Sequence, residues 1–190
     1  MKNELLIICC IALFSCTENY VPKPRSFFRI ALPEKEYRLF DEKNYPFKYE
    51  YPAYAEIKPY SAEGEKYWHN LLFRQFNAQI NFSYLPVNDT NLSNYIADAR
   101  TFVNRHQQKA SAIYEKEYSY SEGKVYGYVF DIRGNNVAST YQFYLTDGTK
   151  HFVRGALYFM ETPKNDSLQP VIDFLKEDID YLIRSFGWKN

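Results

Sequence analysis

The 190 residues carry 23 basic and 23 acidic side chains, a formal net charge of zero, so no bulk basic excess exists to hold a nucleic acid. All three cysteines (Cys9, Cys10, Cys16) lie at the N-terminus, which excludes a disulfide framework or a cysteine metal site in the rest of the chain. Nineteen Tyr and fifteen Phe, most in short runs alternating with polar residues, predict a sheet-rich protein whose tyrosines stand at core edges with a wet hydroxyl.

The chain opens with an apolar stretch, residues 5 to 14. That is signal-peptide length, about 7–15 residues, and short of the roughly 20 needed to span a bilayer. Leu13-Phe14-Ser15-Cys16 follows the pattern of a lipoprotein signal-peptidase site, a Leu three residues before a Cys. Residues 1–15 are therefore expected to be a removed signal peptide and Cys16 the lipidated first residue, palmitate among its acyl chains. Each buried CH2 is worth about 0.8 kcal/mol, so the lipid supplies membrane affinity that the polypeptide lacks. Cleavage removes one base (Lys2) and one acid (Glu4), leaving 22 of each in 175 residues, enough for one ordinary core.

Residues 16–46 read as a tether and arm. Pro22 and Pro24 hold the chain extended, and Phe27, Phe28, Ile30, Leu32, Tyr37 and Phe40 are too apolar to be free, so the arm is expected to lie over a domain spanning 47–190. Strand signals follow at 47–51, 54–60, 67–73 and 78–86. A helix over about 92–110 is predicted by Leu92, Tyr95, Ile96, Ala99, Val103, His106 and Ala110, with Asp89 or Thr90 available as its cap. Strands at 111–119, 124–131, 138–146 and 151–160 are separated by hairpin-turn residues, Ser121-Glu122-Gly123, Gly134-Asn135-Asn136 and Asp147-Gly148, which predicts an antiparallel meander. A last helix, capped by Asp166 or Ser167 with Pro170 in its first turn, buries Leu168, Val171, Ile172, Leu175, Ile179, Leu182, Ile183 and Phe186 before Gly187 stops it. The expected fold is α+β in a single domain: an antiparallel sheet of about 6–8 strands carrying two long amphipathic helices behind an extended N-terminal arm.

Chemistry is sparse. His69, His106 and His151 have no metal-ligand spacing, and glycine-rich phosphate loops and haem-attachment motifs are absent. Asp178 and Asp180 beside Glu177 read as a solvated helix face. Gly155 in mid-strand predicts a bulge in preference to a close backbone approach. Gln142, Asp147, His151 and Arg154 crowd within one hairpin and form the candidate interaction cluster. Asp147 and His151 could meet as an acid–imidazole pair, with Ser139 up-strand, but a strand serine has no elbow turn to expose it. The favoured expectation is a polar network in which Asp147 folds back on the turn.

Several strings together resemble the gliding motility lipoprotein GldD family: Tyr20-Val21-Pro22-Lys23-Pro24-Arg25, Phe28-Arg29-Ile30-Ala31-Leu32-Pro33, Phe76-Asn77-Ala78-Gln79-Ile80, Gln142-Phe143-Tyr144-Leu145-Thr146-Asp147, His151-Phe152-Val153-Arg154-Gly155-Ala156-Leu157-Tyr158-Phe159 and Asn165-Asp166-Ser167-Leu168-Gln169-Pro170-Val171. The resemblance implies a cell-envelope lipoprotein needed for gliding, in bacteria whose gliding machinery is tied to type IX secretion. It implies no catalytic residue, cofactor or metal. The expected function is a non-enzymatic assembly or stability component, anchored by Cys16 and docking on other gliding and secretion proteins. The alternative is a periplasmic small-ligand or glycan binding module, or cryptic enzyme, using the 139–154 hairpin. By resemblance to known sorting rules, Thr17 in place of an Asp and the single acid Glu18 place the lipid on the periplasmic face of the outer membrane.

Overall fold

A computed structural model describes residues 30–60, 65–161 and 164–189. The expected signal peptide, Cys16 and the Pro-containing segment read as a tether lie outside the described residues. Ten strands and two helices follow in the order β1 (Tyr37–Phe40), β2 (Phe47–Pro52), β3 (Glu56–Pro59), β4 (His69–Phe73), β5 (Ala78–Pro86), α1 (Leu92–Asn104), β6 (Ala112–Tyr120), β7 (Val125–Arg133), β8 (Ser139–Thr146), β9 (His151–Phe159), α2 (Asn165–Ser185) and β10 (Gly187–Trp188).

Seven strands form one antiparallel sheet in the order β3-β4-β5-β9-β8-β7-β6, and β1-β2-β10 form a second, three-stranded sheet. The expected meander is β6 to β9. The pairing that joins it to the first half of the chain is β5 on β9, in register from Ala78↔Phe159 to Pro86↔His151. β1 pairs with β2 from Tyr37↔Pro52 to Phe40↔Tyr49, so part of the segment read as an arm is a strand of the smaller sheet.

Helices cover opposite faces of the large sheet. α2 buries Val171, Phe174, Leu175, Ile179, Leu182 and Ile183 in a core shared with Phe73, Ile80, Phe143, Leu145, Val153 and Leu157 of the large sheet and Phe47 and Tyr49 of the small one. α1 seals a lesser core with Ala99 and Val103 against Phe130, Ile132, Tyr144 and Phe152. Sandwiched between the two, every residue of β8 is buried. A strand alternates its side chains, so Tyr141, Phe143 and Leu145 face α2 while Tyr144 faces α1.

Both helices differ from expectation at their ends. α1 stops at Asn104, where the apolar repeat ends at Val103, and the chain continues in tightened turns, His106 N–H to Val103 O and Gln107 N–H to Asn104 O. Its N-cap position is Asn91, with Asn88 Oδ1 accepting from the N–H groups of Thr90 and Asn91. α2 starts at Asn165 behind Lys164, so neither Asp166 nor Ser167 is its N-cap and Pro170 lies in the second turn. The Asn165 amide is used elsewhere, donating to Gly134 O (2.7 Å) and Val137 O (3.0 Å) and so fastening the helix start to the β7–β8 connection.

Gly155 is a close approach. The register slip in this ladder falls at Ser139/Tyr141, whereas Gly155 lies under the Phe143 ring, and a Cβ there would sit 2.2 Å from Phe143 Cζ. Gly155→Ala is expected to cost about 1–3 kcal/mol, the usual penalty for forcing a methyl into a filled core. Equilibrium denaturant unfolding of the purified protein checks this, and a change below about 0.5 kcal/mol would mean that the ring moves aside freely.

Candidate functional site

The hairpin β8–β9 carries Gln142, Asp147, His151 and Arg154, and the structure divides them. Asp147 is in the turn. Its Oδ1 accepts from the backbone N–H groups of Thr149 (3.0 Å), Lys150 (2.8 Å) and His151 (2.8 Å), and its Oδ2 accepts from the Thr149 hydroxyl (3.1 Å). Partial burial raises its carboxyl, but these bonds to the charged form outweigh it and hold the carboxyl below the usual aspartate range. Thr146 completes the turn, its hydroxyl donating to His151 O (2.7 Å) and accepting from Gly148 N–H (3.0 Å).

The His151 ring turns away from Asp147. Its Nδ1 is hydrogen-bonded to the Tyr84 hydroxyl (2.8 Å), and the ring stacks on Trp188 of β10 at 5.1 Å and 16°. Burial, with help from Lys150 and against the pull of Asp147, pushes the imidazole below its ordinary range, so it is neutral at pH 7. Ser139 pairs with Tyr158 at the far end of the hairpin, on the order of 20 Å from the turn at the usual strand rise. The three residues of the sketched Ser-His-Asp set therefore do not meet.

Gln142 and Arg154 do meet, on the α1 face of the sheet. Residues three apart in a strand point to opposite faces, which puts Arg154 across the sheet from His151 and beside Gln142. Arg154 Nη2 makes a long hydrogen bond to Gln142 Oε1 (3.4 Å), and its guanidinium lies over the Phe102 ring of α1 at 4.0 Å. Gln142 is 1% exposed, and its Nε2 has no hydrogen-bond partner among the described residues. Burial lowers the Arg154 guanidinium, as does the charge of Arg105, against a hydrogen bond from Arg154 to Tyr158. No described carboxylate pairs with Arg154.

Two further polar sites escaped the sequence reading. His69 is fully buried among aromatic rings, its Nε2 hydrogen-bonded to the equally buried Tyr49 hydroxyl at 2.5 Å. Asp178 is no solvated helix residue: it is 1% exposed, and its carboxylate accepts from Lys35 Nζ (3.1 Å), the Tyr37 hydroxyl (2.8 Å) and the Tyr54 hydroxyl. Asp180, half-buried, accepts from the Tyr141 hydroxyl (2.6 Å). Among the described residues, no group of three His, Cys, Asp or Glu could hold a metal ion, and no helix is long and apolar enough to cross a membrane.

A sequence profile of gliding motility lipoprotein GldD matches residues 17–188. The chain belongs to this family. Membership makes it a lipoprotein of the cell envelope with a role in gliding motility. No curated protein sequence matches the chain. Among solved structures it is similar to the solution structure of cyanobacterial PsbP (CyanoP) from Synechocystis sp. PCC 6803, with a TM-score of 0.45 and 12% identity over 85% of this chain and 97% of the other.

Proposed function

We propose that this GldD-family lipoprotein is a non-enzymatic assembly or stability component of the gliding and type IX secretion machinery, docking on other envelope proteins. A lipid on Cys16 would hold it at the periplasmic face of the outer membrane, with residues 16–46 as tether and arm ahead of the domain at 47–190. Membership of a lipoprotein family supports the anchor. The observation that carries the docking reading is the fate of the hairpin's reactive groups. Asp147 is consumed by turn amides, and His151 is held by Tyr84 and Trp188, so both serve the fold.

Two variants test it. In a catalytic pair, loss of either charge or imidazole abolishes function while folding survives. In the docking reading, Asp147→Asn and His151→Gln reduce gliding only as far as they reduce protein abundance. Loss of motility in both variants, each at wild-type abundance and thermal stability, would overturn the reading. For the anchor, Cys16→Ser is expected to leave an uncleaved precursor or a soluble, mislocalised form, because the acyl chains supply the membrane affinity. Fractionation of cells decides this, and a normally processed, membrane-bound variant would contradict it.

A further inference from the structure

Arg154 ties the hairpin to α1 through Phe102 and bonds Gln142 and Tyr158, yet no described carboxylate offsets its charge. The guanidinium is partly buried over Phe102, without a carboxylate among the described residues, and a second guanidinium, that of Arg105, lies over the same ring at 5.0 Å. His106 and Lys109 belong to the same positive neighbourhood: the charges of Arg154 and Lys109, together with burial, push the His106 imidazole down. Gathering like charges beside a buried cation costs stability, so such an arrangement calls for a compensating anion.

Gln142 adds a second observation. Its Oε1 faces the Arg154 donor, and a flipped amide would set NH2 against guanidinium, so the orphaned Nε2 is not an artefact of amide orientation. Gln142 is buried, so it backs Arg154 from inside the sheet, one of its polar atoms unpaired and the other held only by a long bond to Arg154.

We propose that Arg154 and Arg105, gathered around Phe102 and backed by the buried Gln142, form a seat for a carboxylate presented by an acidic, extended segment of a partner protein. This rests on the docking reading above and gives that reading its contact chemistry. The neighbouring sheet surface on the α1 side carries Gln79, Asn81 and Ser83, in register with Tyr158, Ala156 and Arg154. These are neutral hydrogen-bonding side chains, half-buried or exposed, suited to an extended peptide. A doubly charged phosphate fits less well. Phe102 is in the last turn of α1 and Arg105 is its C-cap, where unpaired carbonyls repel any anion, a doubly charged phosphate about twice as strongly as a single carboxylate, and the two guanidinium groups must outweigh that repulsion.

The test uses the full lipoprotein in detergent micelles and fluorescein-labelled peptides of alternating Glu and Ser, with Gln–Ser peptides as controls. At low salt the acidic peptide is expected to bind at least tenfold more tightly than the control by anisotropy. Arg154→Met should abolish the difference; because it also takes the donor from the buried Gln142 Oε1, the variant is compared at matched folded fraction, checked by near-UV circular dichroism. Arg154→Lys should restore part of it, having charge but no planar fork. Arg105, exposed, supplies a second variant, and Arg105→Gln should weaken binding severalfold. Equal binding of both peptides, or unchanged binding by Arg154→Met, would overturn the proposal. So would Arg154-dependent binding of inorganic phosphate or of phosphatidylglycerol vesicles with no preference for the acidic peptide. Failure here with partners still crosslinked in cells refutes the seat alone, whereas acid-selective peptide binding with no envelope partner in cells refutes the docking reading.

Discussion

Asp178→Ala is expected to destabilise the protein by about 3–5 kcal/mol, the range for removing one member of a buried charged network. The carboxylate receives three donors from outside α2: Lys35 before β1, Tyr37 on β1 and Tyr54 between β2 and β3. Lys35 also donates to Phe174 O (3.1 Å), and the Tyr37 ring stacks on Tyr181 at 3.8 Å. Burial first, and the neighbouring Asp178 charge second, push the Tyr37 and Tyr54 hydroxyls far above the usual tyrosine range, so both stay protonated donors. Alanine would leave the Tyr37 and Tyr54 hydroxyls without their acceptor and Lys35 with only Phe174 O and the Glu177 carboxylate (2.9 Å). The small sheet would then lose one of its polar fastenings to α2, keeping those of Glu50, whose N–H donates to Ser185 Oγ and whose carboxylate accepts from Tyr181. Denaturant unfolding should show the loss, and the fourfold variant Lys35→Met, Tyr37→Phe, Tyr54→Phe, Asp178→Leu should regain much of it, since apolar replacement of a whole buried network is often neutral. An Asp178→Ala cost below about 1 kcal/mol would mean that the donors are satisfied by solvent.

The second large effect is acid lability centred on His69. Burial depresses its imidazole to about 4, only partly opposed by the Tyr67 carbonyl. The Tyr49 hydroxyl occupies Nε2, which fits the neutral ring with its proton on Nδ1 toward Tyr67 O. The unfolded chain takes up a proton near 6.5 and the folded chain does not. Stability from this group is therefore full above pH 6.5 and falls as pH drops toward 4, by roughly 3 kcal/mol at about 1.4 kcal/mol per pH unit. His106 and His151 are lowered by burial too and act in the same direction. Asp147, in which burial is outweighed by the turn hydrogen bonds that lower it, acts in the same direction in a lower window: its contribution is full above the ordinary aspartate range and is lost only as pH falls below it. Unfolding free energies between pH 7.5 and 4.5 should decline steeply in the wild type and flatten in His69→Gln. Parallel slopes would contradict the assignment.

The elements most legible in the sequence were those set by local chemistry. Asp147-Gly148 and Ser121-Glu122-Gly123 announced hairpins, and the stripe from Val171 to Phe186 announced α2, because turns and helical faces are written in neighbouring residues. β1 and the β5–β9 pairing were not legible, since nothing local to Tyr37–Phe40 or Ala78–Pro86 names a strand partner far along the chain. Asp178 was legible and misread. It stands in step with Phe174, Leu175 and Leu182 on the buried stripe, and its neighbour Glu177 made it look solvated. The hairpin cluster held a similar clue: the odd spacing of His151 and Arg154 by itself assigns them to opposite faces of the strand. Phe102 and Arg105, which complete the neighbourhood of Arg154, could not be found this way, because they arrive from α1 across the sheet.

Crosslinking and mass spectrometry on intact, gliding cells tests the central claim most directly, with a photoreactive residue substituted at Asn81 beside the Arg154 neighbourhood. The docking account predicts adducts with other envelope proteins of the gliding and secretion machinery, lost in Arg154→Met at unchanged abundance. Adducts with none of these proteins, in cells that still glide, would contradict it.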